Sequence, residues 1–358
     1  DGGRVPVGPF QYAYHIDAAA VGRYLRTKAD DVEIVDGVVA DADLSEEGRI
    51  EALVLDDGRR VAGDFFIDCT GFRRRLISGA LGAGWVSYAD ALPVNRAMPF
   101  WLDHDEGEIE PVTLAWAMKA GWMWRIPTQQ RLGCGYVYSD RHLDPEGAKV
   151  EIETALGREI EPRADLRFDI GRLDQAWVGN CLAVGLAQSF LEPLEATSIH
   201  GTVVQLMLFS QDFMAEPFTF SPAERDDFNR RVGRQVDDFR TFINLHYVTE
   251  RDDSPFWREV RDSRIHAETK KRLEVWRDEA PRAGHFESFL SGLPHVETQL
   301  YYPVLDGLGL LDRRLAQQEM EARPALRRHA REVLAKMDRE FGQAARQAMG
   351  HRDFLESL

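Results

Sequence analysis

The chain has 358 residues, 44% of them hydrophobic and 29% charged, ordinary for a globular protein with room for a sizeable core and two lobes. A net charge of −16 argues against nucleic acid, which wants a basic face, and the longest apolar stretches, such as Val203 to Phe209, are far too short to cross a membrane. Three scattered cysteines (Cys69, Cys134 and Cys181) fit reduced, mostly buried thiols in a cytoplasmic protein better than a disulfide framework or a zinc site.

Along the chain, Asp17 to Ala29 carries apolar residues at helical spacing and predicts a helix. Val32–Val35, Gly37–Val39, Ile50–Leu55 and Phe65–Asp68 read as short strands, with Asp56-Asp57-Gly58 as a hairpin turn. Thr113–Trp116, Gly121–Ile126 and Gly133–Tyr138 form a second set of strands, followed by a helix over Pro145–Leu156. Trp177 to Val184 reads as one apolar, strand-like approach to Gly185. Ser198 to Phe213 is apolar on more than one face, which predicts a buried helix. From Ser221 onward the pattern is helical. Leu326, Ala330, Val333, Leu334, Met337 and Phe341 form one amphipathic face, opposite a solvated stripe of Arg327, Arg328, Arg331 and Arg339. The expected organisation is a mixed α/β lobe over residues 1–209 and a helical lobe over 210–358. The chain opens at Asp1 without Met or a signal-like stretch, and reads as the middle and end of something longer.

Two segments stand out. In Gly121-Trp-Met-Trp-Arg-Ile-Pro127, a strand places Trp122 and Trp124 on one face and Met123 on the other. The pair fits a core filler or a rigid aromatic wall gripping a flat ring. In Val184 to Ile199, an apolar strand ends in Gly185 and Pro193 sits at a first helical position, with Glu192 and Glu195 at the helix start. That fits a well-formed helix N-terminus. It also fits a pocket in which the amides of Ala196, Thr197 and Ser198 bind an anion or a flavin edge while Glu195 serves as a base or stabilises a developing cation. The ten histidines form no metal constellation.

Taken together, Trp122-Met-Trp124-Arg-Ile-Pro127 and Gly185 through Ile199 resemble the signatures of the flavin-dependent halogenases, the tryptophan halogenase family. Tyr14-His-Ile-Asp17, Ile67-Asp-Cys-Thr-Gly-Phe72, Arg131 to Ser139, Pro255-Phe-Trp257 and Tyr302 to Gly309 look like family blocks in the same order, so the resemblance runs from about Tyr12 to Gly309.

The resemblance implies an α/β (mixed α+β) flavoprotein fold related to the aromatic hydroxylases, with the helical lobe covering the substrate site. It implies FAD, reduced by a separate flavin reductase, and chloride or bromide oxidised to hypohalous acid that halogenates a small aromatic or indole-like substrate. It assigns Glu195 to the substitution step. Gly71, Gly185, Leu186, Ala187, Thr197, Ser198 and Ile199 fall on the flavin side, with Thr197 and Ser198 also at the halide. Trp122, Trp124, Ile126 and Pro127 border the route to the substrate. Dimers are common in the family, so a homodimer is one expectation.

Three departures accompany the likeness. Nothing matches the family's catalytic lysine, and neither Lys28 nor Lys119 stands in its place. No Gly-x-Gly-x-x-Gly occurs, so the N-terminal Rossmann unit is expected to be missing from these residues, and activity to require it. Leu290, in Phe289-Leu290, stands where tryptophan-specific members carry a Phe-Trp pair. An oxygenase or oxidase of the same fold that does not halogenate, or a non-catalytic aromatic-binding remnant, are the alternatives.

Overall fold

The computed structural model describes residues 13–107, 109–214, 220–286 and 298–357; Tyr12 and the Phe289-Leu290 pair lie outside them. Helix α1 (Ala18–Arg26) starts where the Asp17 carboxylate accepts the Ala20 amide at 2.9 Å. A three-stranded meander follows, β1 (Val39–Leu44), β2 (Ile50–Leu55) and β3 (Arg60–Ala62), with the expected turn at Gly58, whose φ is +85°. The strand expected at Val32–Val35 does not form. β2 ends at Leu55, paired with Val39, so residues before Val39 have no ladder to join, and Val32 and Ile34 stand exposed.

β4 (Phe66–Asp68) leads into a π-helical turn over Arg75–Ala80, held by Asp68, which is fully buried. Asp68 Oδ2 accepts the Leu76 and Ile77 amides, both at 2.9 Å, while Oδ1 accepts from Thr70. β5 (Trp85–Ser87) then precedes the main sheet, built from β6 (Arg96–Leu102), β7 (Leu114–Ala117), β8 (Gly121–Pro127), β9 (Leu132–Tyr138) and β10 (Leu166–Arg167). The order is β10-β6-β9-β8-β7, antiparallel throughout. Strand alternation divides its side chains between two cores. Met98, Phe100, Met123 and Cys134 pack on Ala148 and Ile152 of α2 (Pro145–Leu156). Ala97, Trp122 and Val137 face the other way, onto the helices that follow.

β11 (Gly171–Leu173) pairs with β5 and, later, with β14 (Ser189–Phe190). The single strand expected over Trp177–Val184 is instead a hairpin, β12 (Trp177–Val178) and β13 (Cys181–Ala183), with β13 parallel to β4. The turn forms because Gly179 adopts φ +57° and the buried Asn180 side chain bonds both Ile50 backbone groups and the Asp64 carbonyl.

Helix α3 (Thr197–Asp212) buries Val204, Leu208 and Phe209, but Ile199, Val203 and Leu206 are exposed; the helix expected to be buried on several faces is buried on one. The capping box of Ser221 and Glu224 starts α4 (Pro222–Leu245). Trp177 meets Phe65, Phe209, Phe213 and Phe228 edge-on, at centroid distances of 5.2 to 6.0 Å, locking α3 and α4 to the hairpin; such pairs contribute about 1 kcal/mol each.

The remaining elements are helical: α5 (Pro255–Glu259), α6 (Ala267–Val275), α7 (Thr298–Gly307), α8 (Arg313–Ala322), α9 (Pro324–Gln347) and α10 (His351–Glu356). The Pro255-Phe256-Trp257 block anchors α5, since the Trp257 indole donates to the Met118 carbonyl at 2.7 Å. The boundary expected at residue 209 falls inside α3, and one hydrophobic core joins Trp122 and Val137 of the sheet to Val236, Phe242 and Tyr301 of the helices. Among the described residues no helix is long and apolar enough to cross a membrane.

Candidate active site

Trp122 and Trp124 project from β8 onto one face, ring centroids 6.2 Å apart, with Met123 fully buried on the other. The opposing residue on β9 explains how Trp124 can lie across the sheet. It pairs with Gly135, where a Cβ would stand 2.1 Å from the indole ring. By the same alternation Ile126 shares the tryptophan face, whereas Pro127 points with Arg125 into a separate groove lined by His104 and Leu132.

The second segment meets the first through Glu192. This carboxyl is completely buried; its Oε2 accepts the Trp122 indole N–H and the Tyr247 hydroxyl, each at 2.6 Å. Oε1 is buried without a partner among the described residues. Burial pushes the Glu192 carboxyl up to about 7, against the lowering pull of its Tyr247 and Trp122 bonds and of nearby His246. The same burial, together with Glu192, holds the Tyr247 hydroxyl well above its ordinary range. A carboxyl so placed is poised between charged and neutral forms near neutral pH.

Glu192 and Glu195 do not sit in the first turn of a long helix, as the sequence suggests. Pro193–Glu195 forms a single 3-10 turn, closed by Ala196 in the left-handed conformation at φ +50°, and α3 begins only at Thr197. A non-glycine residue in that region is strained by roughly 1–2 kcal/mol. The break has two consequences. It leaves α3 without a side-chain cap, so its first amides are available to an outside acceptor. It also turns Glu195 away from the helix axis, towards His246, the residue that terminates α4. His246 Nε2 lies 2.7 Å from Glu195 Oε1, and Nδ1 lies 3.0 Å from the Phe242 carbonyl.

Beside the start of α3, Gly185, Gln188, Thr197, Ser198 and Thr202 line a small cleft. Its interior offers about 20 Å³ to a water-sized guest, enough for one small species and too little for a flavin ring system. Gly185 takes φ +64°, so this approach to the cleft is bare backbone. The Gln188 Nε2 group is buried without a partner among the described residues. An orphaned amide donor, free helix amides and a glycine turn suit an anion or the electron-rich edge of a flavin ring. Gly71, at φ +66°, opens a short turn beside the Gly185 turn, and Phe72 meets Phe190 edge-on at 5.1 Å.

The structure thus brings Gly185, Thr197 and Ser198 into one cleft, with Gly71 and the half-exposed Leu186 nearby. Ala187 packs its side chain into the core and can offer only backbone, while Ile199 faces outward. Glu192, Tyr247, His246 and Gln188 are additions that sequence reasoning passed over as site residues. Glu192 was legible only as an acidic residue near a helix start. Tyr247 and His246 lie more than 50 residues downstream, and no local pattern ties them to the motif. Among the described residues no group of His, Cys, Asp and Glu could hold a metal ion.

Comparison with known proteins follows the same path. The sequence is 35% identical over 332 residues to the 7-chloro-L-tryptophan 6-halogenase KtzR of Kutzneria sp. (strain 744), covering 87% of this chain and 63% of that protein. It is 34% identical to the tryptophan 7-halogenase RebH of Lentzea aerocolonigenes, covering 84% of this chain and 59% of that one. The chain therefore spans about three fifths of the length of these curated relatives. Among solved structures, a flavin-dependent halogenase from Xanthomonas campestris superposes with a TM-score of 0.84 at 33% identity, covering 99% of this chain and 70% of that one. BrvH, a flavin-dependent halogenase from Brevundimonas sp. BAL3, gives 0.80 at 31% identity, covering 96% and 69%. These matches run through nearly the whole chain and support the mixed α/β halogenase fold; the expected loss of a Rossmann unit draws no support from them. The profile of the tryptophan halogenase family matches residues 2–321, and the chain belongs to that family.

Proposed function

We propose that the protein halogenates a small aromatic substrate of the indole class, using FAD reduced by a separate flavin reductase, molecular oxygen, and chloride or bromide. The observation that carries this reading is the junction at Glu192, which fastens the tryptophan strand to the turn bearing Glu195, directly before the uncapped start of α3. Indole is favoured because two of the similar proteins, KtzR and RebH, are by name halogenases of tryptophan or chlorotryptophan.

Bound here, reduced flavin would supply two of the four electrons that reduce oxygen, the halide giving up the other two as it becomes hypohalous acid. Each part of the chain then has a task. Gly71, Gly185, Leu186, the Ala187 backbone and Ile199 form the flavin side, with Thr197 and Ser198 giving amides to the halide. Trp122, Trp124 and Ile126 wall the path of the oxidant, and the Glu192 bond fixes the first of them. Glu195 exchanges a proton during substitution on the ring. The helices after α3 close one side of the site through His246 and Tyr247.

The test is product analysis with FAD, a flavin reductase and bromide or chloride. A halogenated arene is expected. A hydroxylated arene, or peroxide alone, would identify a non-halogenating oxygenase or oxidase, and no FAD binding would identify an aromatic-binding remnant.

A further inference from the structure

The contact between His246 and Glu195 constrains where a proton must be. His246 Nδ1 faces the Phe242 carbonyl at 3.0 Å, and a carbonyl oxygen only accepts, so Nδ1 carries a hydrogen. In the neutral ring that leaves a lone pair on Nε2. Yet Nε2 lies 2.7 Å from Glu195 Oε1, which in a carboxylate also only accepts. Two lone pairs do not approach so closely without a hydrogen between them. The pair therefore holds one proton, as imidazolium with carboxylate or as imidazole with carboxylic acid. His246 ends α4, and its ring meets Phe242 edge-on at 5.2 Å, fixing its orientation.

We propose that His246 is the positioning and proton-sharing partner of Glu195, and that the two act as an acid–base dyad on hypohalous acid and the aromatic ring. The inference rests on the role of Glu195 given above. The dyad passes its proton to the hydroxyl oxygen of hypohalous acid as the oxygen–halogen bond breaks, that electron pair staying on oxygen and leaving as water. The ring's π electrons form the carbon–halogen bond. The proton displaced from the ring carbon goes to Glu195, its bonding pair restoring aromaticity, and the dyad is refilled. Atoms balance as arene plus hypohalous acid giving haloarene plus water, with no net proton taken from solvent. Both side chains keep partial solvent access, which allows the dyad to load its first proton.

The test compares His246→Gln, His246→Ala and Glu195→Gln in halogenation with bromide and in direct turnover of added hypobromous acid, with melting temperature as the control for folding. Glutamine keeps an amide donor for Glu195 but cannot carry the shared proton, so a purely structural histidine would tolerate it. The expected result is a fall in turnover of roughly 100-fold in His246→Gln with substrate KM within about twofold, and partial recovery of His246→Ala by added imidazole. Wild-type turnover in His246→Gln, or no imidazole rescue of a folded His246→Ala, overturns the dyad. If Glu195→Gln is impaired while His246→Gln is not, only this inference falls. If Glu195→Gln is itself unimpaired, the reading of Glu195 falls first.

Discussion

The indole N–H of Trp122 donates to Glu192 Oε2 at 2.6 Å, joining two residues 70 positions apart, one on a sheet and one in a turn. Both are buried, and besides this bond Glu192 accepts only from the Tyr247 hydroxyl among the described residues. The bond transmits the position of β8 to the Pro193–Glu195 turn, and hence to Glu195 itself.

Removing the donor while keeping the ring should expose this dependence. Trp122→Phe leaves Glu192 with only the Tyr247 bond and is expected to cost about 2 kcal/mol, the range for a buried acceptor losing a partner. Denaturant unfolding measures it. A loss under about 0.5 kcal/mol would mean that the bond adds nothing measurable to stability.

Glu192 also makes stability depend on pH, with a definite sign. Its ordinary value is 4.5 and its folded value about 7. Below about 4.5 the carboxyl is protonated in folded and unfolded chains alike and no stability is lost. Between these values the unfolded chain ionises while the folded one stays neutral, so stability falls as pH rises, levelling off above about 7. Glu192→Gln should remove that slope. The stability difference between variant and wild type is expected to move by about 3 kcal/mol in favour of the variant across this window. Parallel stability–pH curves would show that the carboxyl is not held neutral.

How much of this was legible in the sequence depends on the range of the interaction. The helix at Pro145–Leu156, the hairpin at Gly58 and the facing of Trp122 and Trp124 follow from local chemistry and hold in the structure. The false strand at Val32–Val35 has the right residues but no partner strand, and pairing is a property of the neighbour. The hairpin inside Trp177–Val184 depends on Asn180 reaching back to Ile50, 130 residues away. The site divides in the same way. Gly185, Thr197 and Ser198 were visible as a motif and do share a cleft, whereas His246 and Tyr247 enter only because α4 ends against that motif. The left-handed Ala196 was hidden for a different reason: alanine is a strong helix former, and tertiary packing overrides it there.

Gly135 offers a check on the tryptophan wall that leaves both indoles unaltered. A methyl group at this position would lie 2.1 Å from Trp124, and on a central strand neither backbone can yield. Gly135→Ala should therefore swing Trp124 off the sheet, costing roughly 1–3 kcal/mol through overpacking. If the ring guards the oxidant's path, the same variant should release more oxidant as peroxide per reduced flavin consumed. Destabilisation with unchanged coupling would confine Trp124 to a packing role.

Gln188 sets stability against function most directly. Its buried, unpartnered amide lines the cleft with Thr197 and Ser198 and should be a liability in the unliganded protein. Gln188→Leu removes the orphaned donor at similar volume, so the unliganded variant is expected to be as stable as wild type or more so, by about 1 kcal/mol. Halide binding should move the other way, because an anion in the cleft loses a donor that it alone would satisfy. The halide concentration for half-maximal turnover is expected to rise roughly tenfold, the equivalent of one hydrogen bond. The melting temperature with and without bromide reads both effects in one series: the variant should start higher and gain less. A variant that starts lower and gains as much would mean that the amide is satisfied in the unliganded protein and plays no part in holding the halide.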